Sequence, residues 1–323
     1  MRPLKFHPIL KQTLWGGERI IPYKELASGL SRVGESWELS GMPGSESVVA
    51  EGPWAGSTLS ELIGRFGAEL LGKANYARFG QEFPLLVKFI DAREDLSIQV
   101  HPDDELARKR HGKSGKCEMW YVLEAEPGAS LLTGFSRPIA PAEYERRVAD
   151  NTLTDVLNRQ AIASGDVFYL PAGRVHSIGK GSFIVEIQQS SDITYRIYDF
   201  DRRDAAGNPR ELHTELAREA IDFESSENSR ITYAPENNQE VRLVTTPYFT
   251  TSLYTLTART RCDWSATDSF VAIILLQGSG SLTDNEGNRI DIRQGETWLL
   301  PASTQWIEIT PHTATLRLLT SRI

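Results

Sequence analysis

Short segments in which apolar and polar residues alternate recur along most of this chain. Residues 96–101 place Ser97, Gln99 and His101 on one face of a strand and aliphatic residues on the other. Such alternation is typical of a strand with one buried face. Its recurrence predicts a mainly β protein.

Several other predicted strands carry one charged residue among apolar neighbours. Glu118 begins a β-prone run, and Glu186 and Arg196 lie in later alternating segments. Lys88 lies in the middle of a continuous apolar run that is typical of a buried strand. Because a buried ammonium group is costly, this lysine either extends to an edge of the sheet or faces a site.

Helical patterns interrupt the strands at three places. One helical stretch covers 58–79 with breaks at Gly67 and Gly72, and a second begins after Pro102, where acidic residues fill the first turn. A third is expected over 141–159. These helices are insertions in the β framework.

Residues 165–176 form a strand entered through a Gly-Asp turn and left through a Pro-x-Gly turn, with His176 starting the next strand. The spacing Gly-x5-Pro-x-Gly-x2-His resembles the second signature of the cupins, small β-barrels whose interior histidines usually bind a metal. A single histidine after a turn is also compatible with a purely structural role. A metal site therefore requires further ligands.

Suitable partners lie on the predicted strands before this motif. His101 and Glu118, together with His176, supply two imidazoles and a carboxylate, and Gln99 adds an amide oxygen. This set of donors is suitable for zinc.

The motif is repeated near the end of the chain without its histidine. Residues 295–306 align with 165–176 as Gly-x5-Pro-x-Ser-x2-Trp, so that Trp306 takes the place of His176. A polar stretch over 201–240 separates the two copies. We therefore predict a metal-binding domain over 1–235 and a second barrel without metal ligands over 236–323.

Composition excludes several classes of function. The chain has 323 residues, of which 40% are hydrophobic, and a net charge of −8, with an isoelectric point near 5.4. This charge argues against a nucleic-acid surface. The sequence shows neither an apolar leader nor a membrane-length apolar run, which predicts a cytoplasmic protein. Its two cysteines are far apart, so a disulfide framework is not expected.

Taken together, these motifs resemble the short bacterial form of the type I phosphomannose isomerases. The most specific of them is Ser-Ile-Gln-Val-His-Pro at 97–102, whereas the glycine and proline spacing occurs across many cupins. The resemblance extends over nearly the whole chain. It is carried by residues 15–17, 34–38, 84–89, 96–102, 115–119, 165–176 and 191–196.

The resemblance implies two cupin-like jelly-roll barrels with a few helical insertions. It also implies a zinc enzyme, with one ion per chain, that interconverts mannose 6-phosphate and fructose 6-phosphate. The implied metal ligands are His101, Glu118 and His176, with Gln99 as a fourth in some members. The family's catalytic arginine falls on Arg196.

The chain departs from the family pattern in two respects. Cys117 stands where threonine or proline is usual, and its side chain should alternate away from Glu118. The large helical insertion of the long family members is absent, so other loops must form any lid.

Moving a carbonyl between C1 and C2 of a sugar passes through a cis-enediol with charge on oxygen. Zinc and a fixed cation can stabilise this charge. Glu186, Lys116 and a zinc-bound water are the candidates for the base. Lys88, Ser97 and Lys116 are candidates for binding the phosphate, together with Arg196.

Arg196 has three alternative roles. Its guanidinium stays charged, so it cannot be the base, but it can stabilise the enediolate or bind the phosphate. We favour the first role because the strand directs Arg196 toward the metal face. The third is a structural ion pair with Asp192 or Asp199.

Two other classes of function remain open at this point. A sugar-binding regulatory cupin without catalysis is disfavoured because no helix-turn-helix pattern is present. A metal cupin of another class, such as an iron oxygenase, would also use two histidines and a carboxylate. A small-molecule sugar phosphate is the expected partner, without nucleic acid or membrane, and the protein is expected to be a monomer or homodimer.

Overall fold

The computed structural model describes residues 1–204, 206–224 and 228–323. Strands predominate, as the sequence predicts. The strands of the first half are β1 (Leu4–Lys5), β2 (Ile9–Gly17), β3 (Val33–Leu39), β4 (Gly41–Met42), β5 (Ser45–Glu46), β6 (Leu85–Ala92), β7 (Ile98–Val100), β8 (Glu118–Ala125), β9 (Ser130–Phe135), β10 (Leu157–Ala161), β11 (Val167–Leu170) and β12 (His176–Ile178).

The strands of the second half are β13 (Ser182–Gln189), β14 (Tyr195–Tyr198), β15 (Arg230–Ile231), β16 (Glu240–Thr245), β17 (Thr250–Leu256), β18 (Thr260–Asp263), β19 (Val271–Gln277), β20 (Ser279–Asp284), β21 (Arg289–Arg293), β22 (Thr297–Leu300), β23 (Trp306–Pro311) and β24 (Leu316–Arg322). The helices are α1 (Ile20–Tyr23), α2 (Leu59–Phe66), α3 (Ala68–Leu71), α4 (Lys73–Phe79), α5 (Asp104–His111), α6 (Pro141–Ala149) and α7 (Thr214–Ala220). None of them, within the described ranges, is long and apolar enough to cross a membrane.

Two antiparallel sheets form the first β unit. The larger has the strand order β15-β11-β8-β13-β6-β2-β3, and the smaller has the order β10-β9-β12-β7-β14. An apolar layer that includes Trp120, Phe168 and Ile184 from the larger sheet and Ile178 from the smaller one lies between them. This arrangement is that of the predicted cupin barrel.

A second pair of sheets forms the C-terminal β unit. Their strand orders are β1-β22-β19-β24-β17-β16 and β18-β23-β20-β21. The fold class of two cupin-like barrels is therefore confirmed. Strand β1 pairs with β22, Leu4 opposite Leu299, so the start of the chain contributes to the C-terminal sheet. The division at residues 235 and 236 stays a prediction.

The two β units pack through a shared core that also determines which way Lys88 points. Val87 and Phe89 of β6 pack into this core, which also contains Ala272 and Leu319 of the C-terminal sheet. Because side chains alternate along a strand, Lys88 points to the opposite face, into the first barrel. The lysine is buried and does not extend to an edge.

The helical predictions are confirmed for α2 to α5 and are wrong in part for the third stretch. Gly67 and Gly72 separate α2, α3 and α4 and have positive φ. The stretch predicted over 141–159 is helical only to Ala149, because Asn151 takes a left-handed conformation. A 3-10 turn at Leu153–Val156 and strand β10 follow, and β10 pairs with β9.

The internal repeat is confirmed at the level of the strands but not in the direction of its last side chain. Strands β22 and β23 correspond to β11 and β12, and Trp306 begins β23 as His176 begins β12. However, Ile307 fills the apolar interior of the second barrel, whereas Trp306 is half-buried beneath the guanidinium of Arg261. The prediction that Trp306 replaces His176 inside the barrel is therefore wrong, since the alternation is shifted by one residue.

Candidate active site and metal centre

Three polar side chains lie in a row across neighbouring strands of the smaller sheet. Arg196 of β14 is paired with Gln99 of β7, and Gln99 is paired with His176 of β12. Directly opposed residues in antiparallel strands place their side chains on the same face, with Cβ atoms about 5 Å apart. A guanidinium, an amide and an imidazole therefore line one wall of the first barrel.

A second row lies on the facing sheet. Glu186 of β13 is paired with Lys88 on one side and with Trp120 on the other. Lys88 Nζ lies 3.0 Å from Glu186 Oε1, and Trp120 Nε1 donates to Glu186 Oε2 over 3.0 Å. The two rows face the interior of the first barrel, where the sequence predicts the active site.

The predicted triad converges at one end of this space. Glu118 Oε1 lies 3.2 Å from His176 Nε2, and Glu118 Oε2 lies 3.5 Å from His101 Nε2. All three residues are buried, and their candidate ligand atoms lie within 4.8 Å of one another. Gln99 Nε2 lies 3.3 Å from His176 Nε2, so the amide group also borders the triad.

Backbone carbonyl groups orient both imidazoles. His101 Nδ1 donates to the carbonyl of Ile193 and His176 Nδ1 to that of Arg174, each over 2.8 Å. These bonds leave the Nε2 lone pairs directed at the carboxylate. Metal-binding histidines are commonly oriented in this way.

Burial and one lysine control the electrostatics of the triad. Burial, with Lys116 next in importance, lowers the pKa of His101 to about 3, and burial also lowers the pKa of His176. Burial alone would raise the pKa of Glu118, but the ammonium of Lys116 holds it well below its usual range. The triad is therefore a carboxylate with two neutral imidazoles, which is the form that binds metals.

The geometry of the triad is compatible with a zinc ion. Tetrahedral zinc with bonds of about 2.1 Å separates its ligand atoms by about 3.4 Å, and the two distances from Glu118 to the imidazoles are 3.2 and 3.5 Å. Neither oxygen of Glu118 accepts a hydrogen bond of good geometry from the described residues. The ammonium of Lys116 lies 2.8 Å from Oε2, so this carboxylate already has one cation beside it.

A cavity of about 310 Å³ adjoins the triad. Its walls are mostly polar and include Arg196 and Gln99 of the first row and Lys88 and Glu186 of the second. Six of the residues that the sequence singled out as site candidates line it, namely Lys88, Ser97, Gln99, Lys116, Glu186 and Arg196. The structure thus brings the candidate residues into one cavity with the triad beside it.

Arg196 is incompletely hydrogen-bonded within this cavity. Nη1 donates to the carbonyl of Glu211 over 2.9 Å, while the buried Nε has no partner among the described residues. Asp192 is paired with Lys113, and Asp199 is paired with two other arginines. In the part of the chain that the structure describes, no ion pair joins Arg196 to either aspartate.

Comparison with known proteins identifies the family. Residues 4–132 match the model of the phosphomannose isomerase type I catalytic domain, and residues 239–320 match the mannose-6-phosphate isomerase cupin domain. A probable mannose-6-phosphate isomerase of Bacillus subtilis is 34% identical over 303 residues, which cover 93% of each chain. The chain belongs to the type I phosphomannose isomerases. The mannose-6-phosphate isomerase of Streptococcus mutans is 33% identical over 93% of this chain and 92% of its own length.

Solved structures agree with the family assignment. The crystal structure of mannose 6-phosphate isomerase from Bacillus subtilis superposes with a TM-score of 0.90 at 30% identity and covers all of both chains. A variant of phosphomannose isomerase from Salmonella typhimurium has a TM-score of 0.79 at 16% identity over 99% of each chain. The second match shows only that the fold is shared.

In this phosphomannose isomerase family member, the cavity also contains residues that sequence reasoning missed. Arg210 lies in the polar stretch that separates the two copies of the motif, and Glu35 was not among the candidate site residues. The tryptophan at position 15, which is also a wall residue, is easily taken for core filling. Only the Trp-Gly-Gly and Gly-Glu-Ser-Trp-Glu segments of the family pattern pointed to this part of the chain.

Proposed function

We propose that the protein is a zinc-dependent isomerase that interconverts D-mannose 6-phosphate and D-fructose 6-phosphate through a cis-enediol. The observation that carries this proposal is the convergence of His101, Glu118 and His176 at one end of a charged cavity that also contains Arg196. The relatives named above are mannose-6-phosphate isomerases, which supports the same substrate.

His101, Glu118 and His176 would hold the ion, with Gln99 as an additional weaker ligand. When bound, zinc supplies Lewis-acid polarisation of the oxygen atoms on C1 and C2. The cavity adjoins the triad at Gln99 and Lys116, so these two residues mark the end at which C1 and C2 would lie.

Arg196 is assigned the catalytic role of holding the negative charge that develops on the enediolate oxygen. Its unpartnered Nε and its position one strand from Gln99 support this role. Burial, and then the neighbouring Arg210, lower the pKa of Arg196, but a guanidinium still remains charged at neutral pH. A fixed cation costs no reorganisation when charge develops.

Lys88, Ser97, Lys116 and Glu186 are assigned to substrate contacts along the cavity. Glu186 and Lys116 are also the candidates among the side chains for the base that moves the proton between C1 and C2. Lys88 is not suited to this task, because Glu186 and Glu35 outweigh the effect of burial and raise its pKa above the ordinary value. It remains an ammonium donor throughout the working range.

Metal analysis joined to an isomerase assay tests the proposal. The purified protein should contain one zinc per chain and convert mannose 6-phosphate. His176→Ala should lose both metal and activity while its circular dichroism is unchanged, because the barrel has its own apolar core. His312→Ala, which removes an exposed histidine of the second β unit, should change neither. Full zinc occupancy in His176→Ala would contradict the ligand assignment.

The remaining features are part of the same proposal. The zinc-binding domain covers 1–235, and the domain over 236–323 carries no metal. The partner is a small sugar phosphate, without nucleic acid or membrane, and the protein works in the cytoplasm as a monomer or homodimer. The pairing of β1 with β22 implies that a fragment 1–235 would lack part of its native contacts.

A further inference from the structure

The cavity beside the triad has an inner end and a mouth. The inner end is formed by Gln99 and Lys116, which contact the triad. Three other wall residues, Trp15, Glu35 and Arg210, also line an open groove on the outside of the protein. Residues shared by a cavity and the groove outside it mark the opening between them, so Arg210 lies at the mouth.

Arg210 is held in a defined orientation there. Its Nε donates to Asp199 Oδ2 over 2.7 Å and its Nη2 donates to Asp199 Oδ1. Asp199 is only 5% exposed, whereas the Arg210 side chain is 28% exposed. The third guanidinium nitrogen, Nη1, donates to no other described residue. The aspartate therefore fixes the plane of a guanidinium that still presents donors to the opening.

The two ends of the cavity differ in their balance of charge. Each inner lysine has its own carboxylate, since Lys88 is 3.0 Å from Glu186 and Lys116 is 2.8 Å from Glu118. Near the mouth, by contrast, Arg202 and Arg210 share the carboxylate of Asp199, and Arg196 also lines the cavity.

Asp199 is the common acceptor of these arginines. Arg202 Nη2 lies 2.6 Å from Oδ1, and its Nε and Nη1 donate to backbone carbonyls. Each of the three guanidinium nitrogens of Arg202 therefore has an acceptor, and this arginine does not line the cavity. Glu35 adds a negative charge at the mouth, but its carboxylate lies 3.9 Å from the ammonium of Lys88. The arrangement leaves excess positive charge on Arg210 and Arg196.

We propose that Arg210 binds the phosphate group of the substrate at the mouth of the cavity. This inference rests on the proposed function, which places C1 and C2 at the inner end. A hexose 6-phosphate carries its phosphate on the carbon farthest from C1, so the dianion of a substrate in this orientation lies toward Arg210. A planar guanidinium is suited to bind a phosphate through two parallel hydrogen bonds.

Binding of mannitol 1-phosphate to the zinc-loaded protein tests the proposal, because this sugar alcohol phosphate cannot be isomerised. Arg210→Ala should weaken its binding, measured by calorimetry, by about tenfold to 100-fold. The KM for mannose 6-phosphate should rise similarly, while kcat changes by less than about threefold. Arg210→Lys keeps the positive charge but loses the planar pair of N–H donors, and it should weaken binding by about tenfold.

Two matched controls separate a specific contact of Arg210 with the phosphate from the general electrostatic attraction of nearby positive charges. Arg203→Ala removes an exposed arginine of the same loop whose side chain donates to the carbonyl of Gly207. Arg32→Ala removes a cation from the outer groove. Both should change binding by less than about twofold. The proposal is overturned if Arg32→Ala weakens binding as much as Arg210→Ala, or if Arg210→Ala and Arg210→Lys both bind normally.

The same data distinguish this inference from the proposed function. If the wild-type protein isomerises mannose 6-phosphate and Arg210→Ala binds mannitol 1-phosphate normally, only the assignment of Arg210 fails. If the wild-type protein binds mannitol 1-phosphate through Arg210 but does not isomerise the sugar, the phosphate site stands and the proposed function fails. Unphosphorylated mannitol should bind all variants equally weakly.

Discussion

Replacing Lys88 by methionine tests whether the charged row inside the first barrel is a coupled unit. Its ammonium lies 3.0 Å from Glu186 Oε1 and 3.9 Å from Glu35 Oε2, and the side chains of Lys88 and Glu186 are only 10% and 4% exposed. Lys88→Met leaves the Glu186 carboxylate buried with one remaining donor, the indole of Trp120. The variant should therefore be less stable than the wild type.

The expected loss of stability follows from the distance between the charges and from their burial. Two unit charges 3.0 Å apart attract each other by about 5.5 kcal/mol at an effective dielectric constant of about 20. Desolvation offsets part of this attraction, and breaking one side of a buried pair costs about 3 kcal/mol. Glu186→Gln should cost about 2 kcal/mol, because Glu35 still compensates Lys88.

The double variant decides between coupling and simple addition. Lys88→Met with Glu186→Gln leaves no buried charge without a partner, so it should cost about 2 kcal/mol rather than the additive value of about 5 kcal/mol. Urea unfolding of metal-free protein, followed by fluorescence, measures each free energy without the contribution of bound metal.

An exposed pair of the same type serves as the control. Lys113 Nζ lies 2.9 Å from Asp192 Oδ1, but both side chains are about half exposed. Lys113→Met should therefore cost less than about 1 kcal/mol. Additive losses in the Lys88 and Glu186 variants, or a Lys88→Met protein as stable as the wild type, would refute the reasoning.

Three further predictions concern the site and its surroundings. Arg196→Ala should lower kcat by about 100-fold and leave mannitol 1-phosphate binding nearly unchanged; weaker binding with normal kcat would instead make Arg196 a phosphate ligand. Gln99→Ala should weaken zinc binding by about tenfold in a competition with a chelating dye, far less than His176→Ala. The hydrogen bonds from Arg210 and Arg202 outweigh burial and lower the pKa of Asp199 from 3.8. The stabilisation by ionised Asp199 is therefore present above pH 3.8 and is lost as the pH falls through the lower folded-state pKa. Asp199→Asn should cost about 2 kcal/mol at pH 7 and progressively less as the pH falls below 3.8, as acid titrations of both proteins would show.

The sequence alone determined which residues are the candidates for a metal site. Gln99 and His101 share a face because side chains alternate along an extended chain, and the glycine and proline turn before His176 is a local feature of the backbone. Glu118 begins its strand as its β-prone neighbours predict. Local patterns of this kind can be predicted from the sequence because they depend on residues only a few positions apart.

The tertiary structure alone decided which distant residues meet. Arg196, Gln99 and His176 form one row only because β14, β7 and β12 pair in that register, and Arg210 reaches the mouth only because Asp199 holds it there. The inward direction of Lys88 depends on the C-terminal sheet that covers the opposite face of its strand.

The orientation of Trp306 also shows that local spacing does not determine the direction of a side chain. Its spacing repeats that of His176, yet a shift of one residue in the alternation turns it outward and turns Ile307 inward. Strand pairing joins segments that are far apart in the chain, and a shift of one residue exchanges the two faces of a strand. The direction of these side chains therefore depends on long-range contacts that no local pattern encodes.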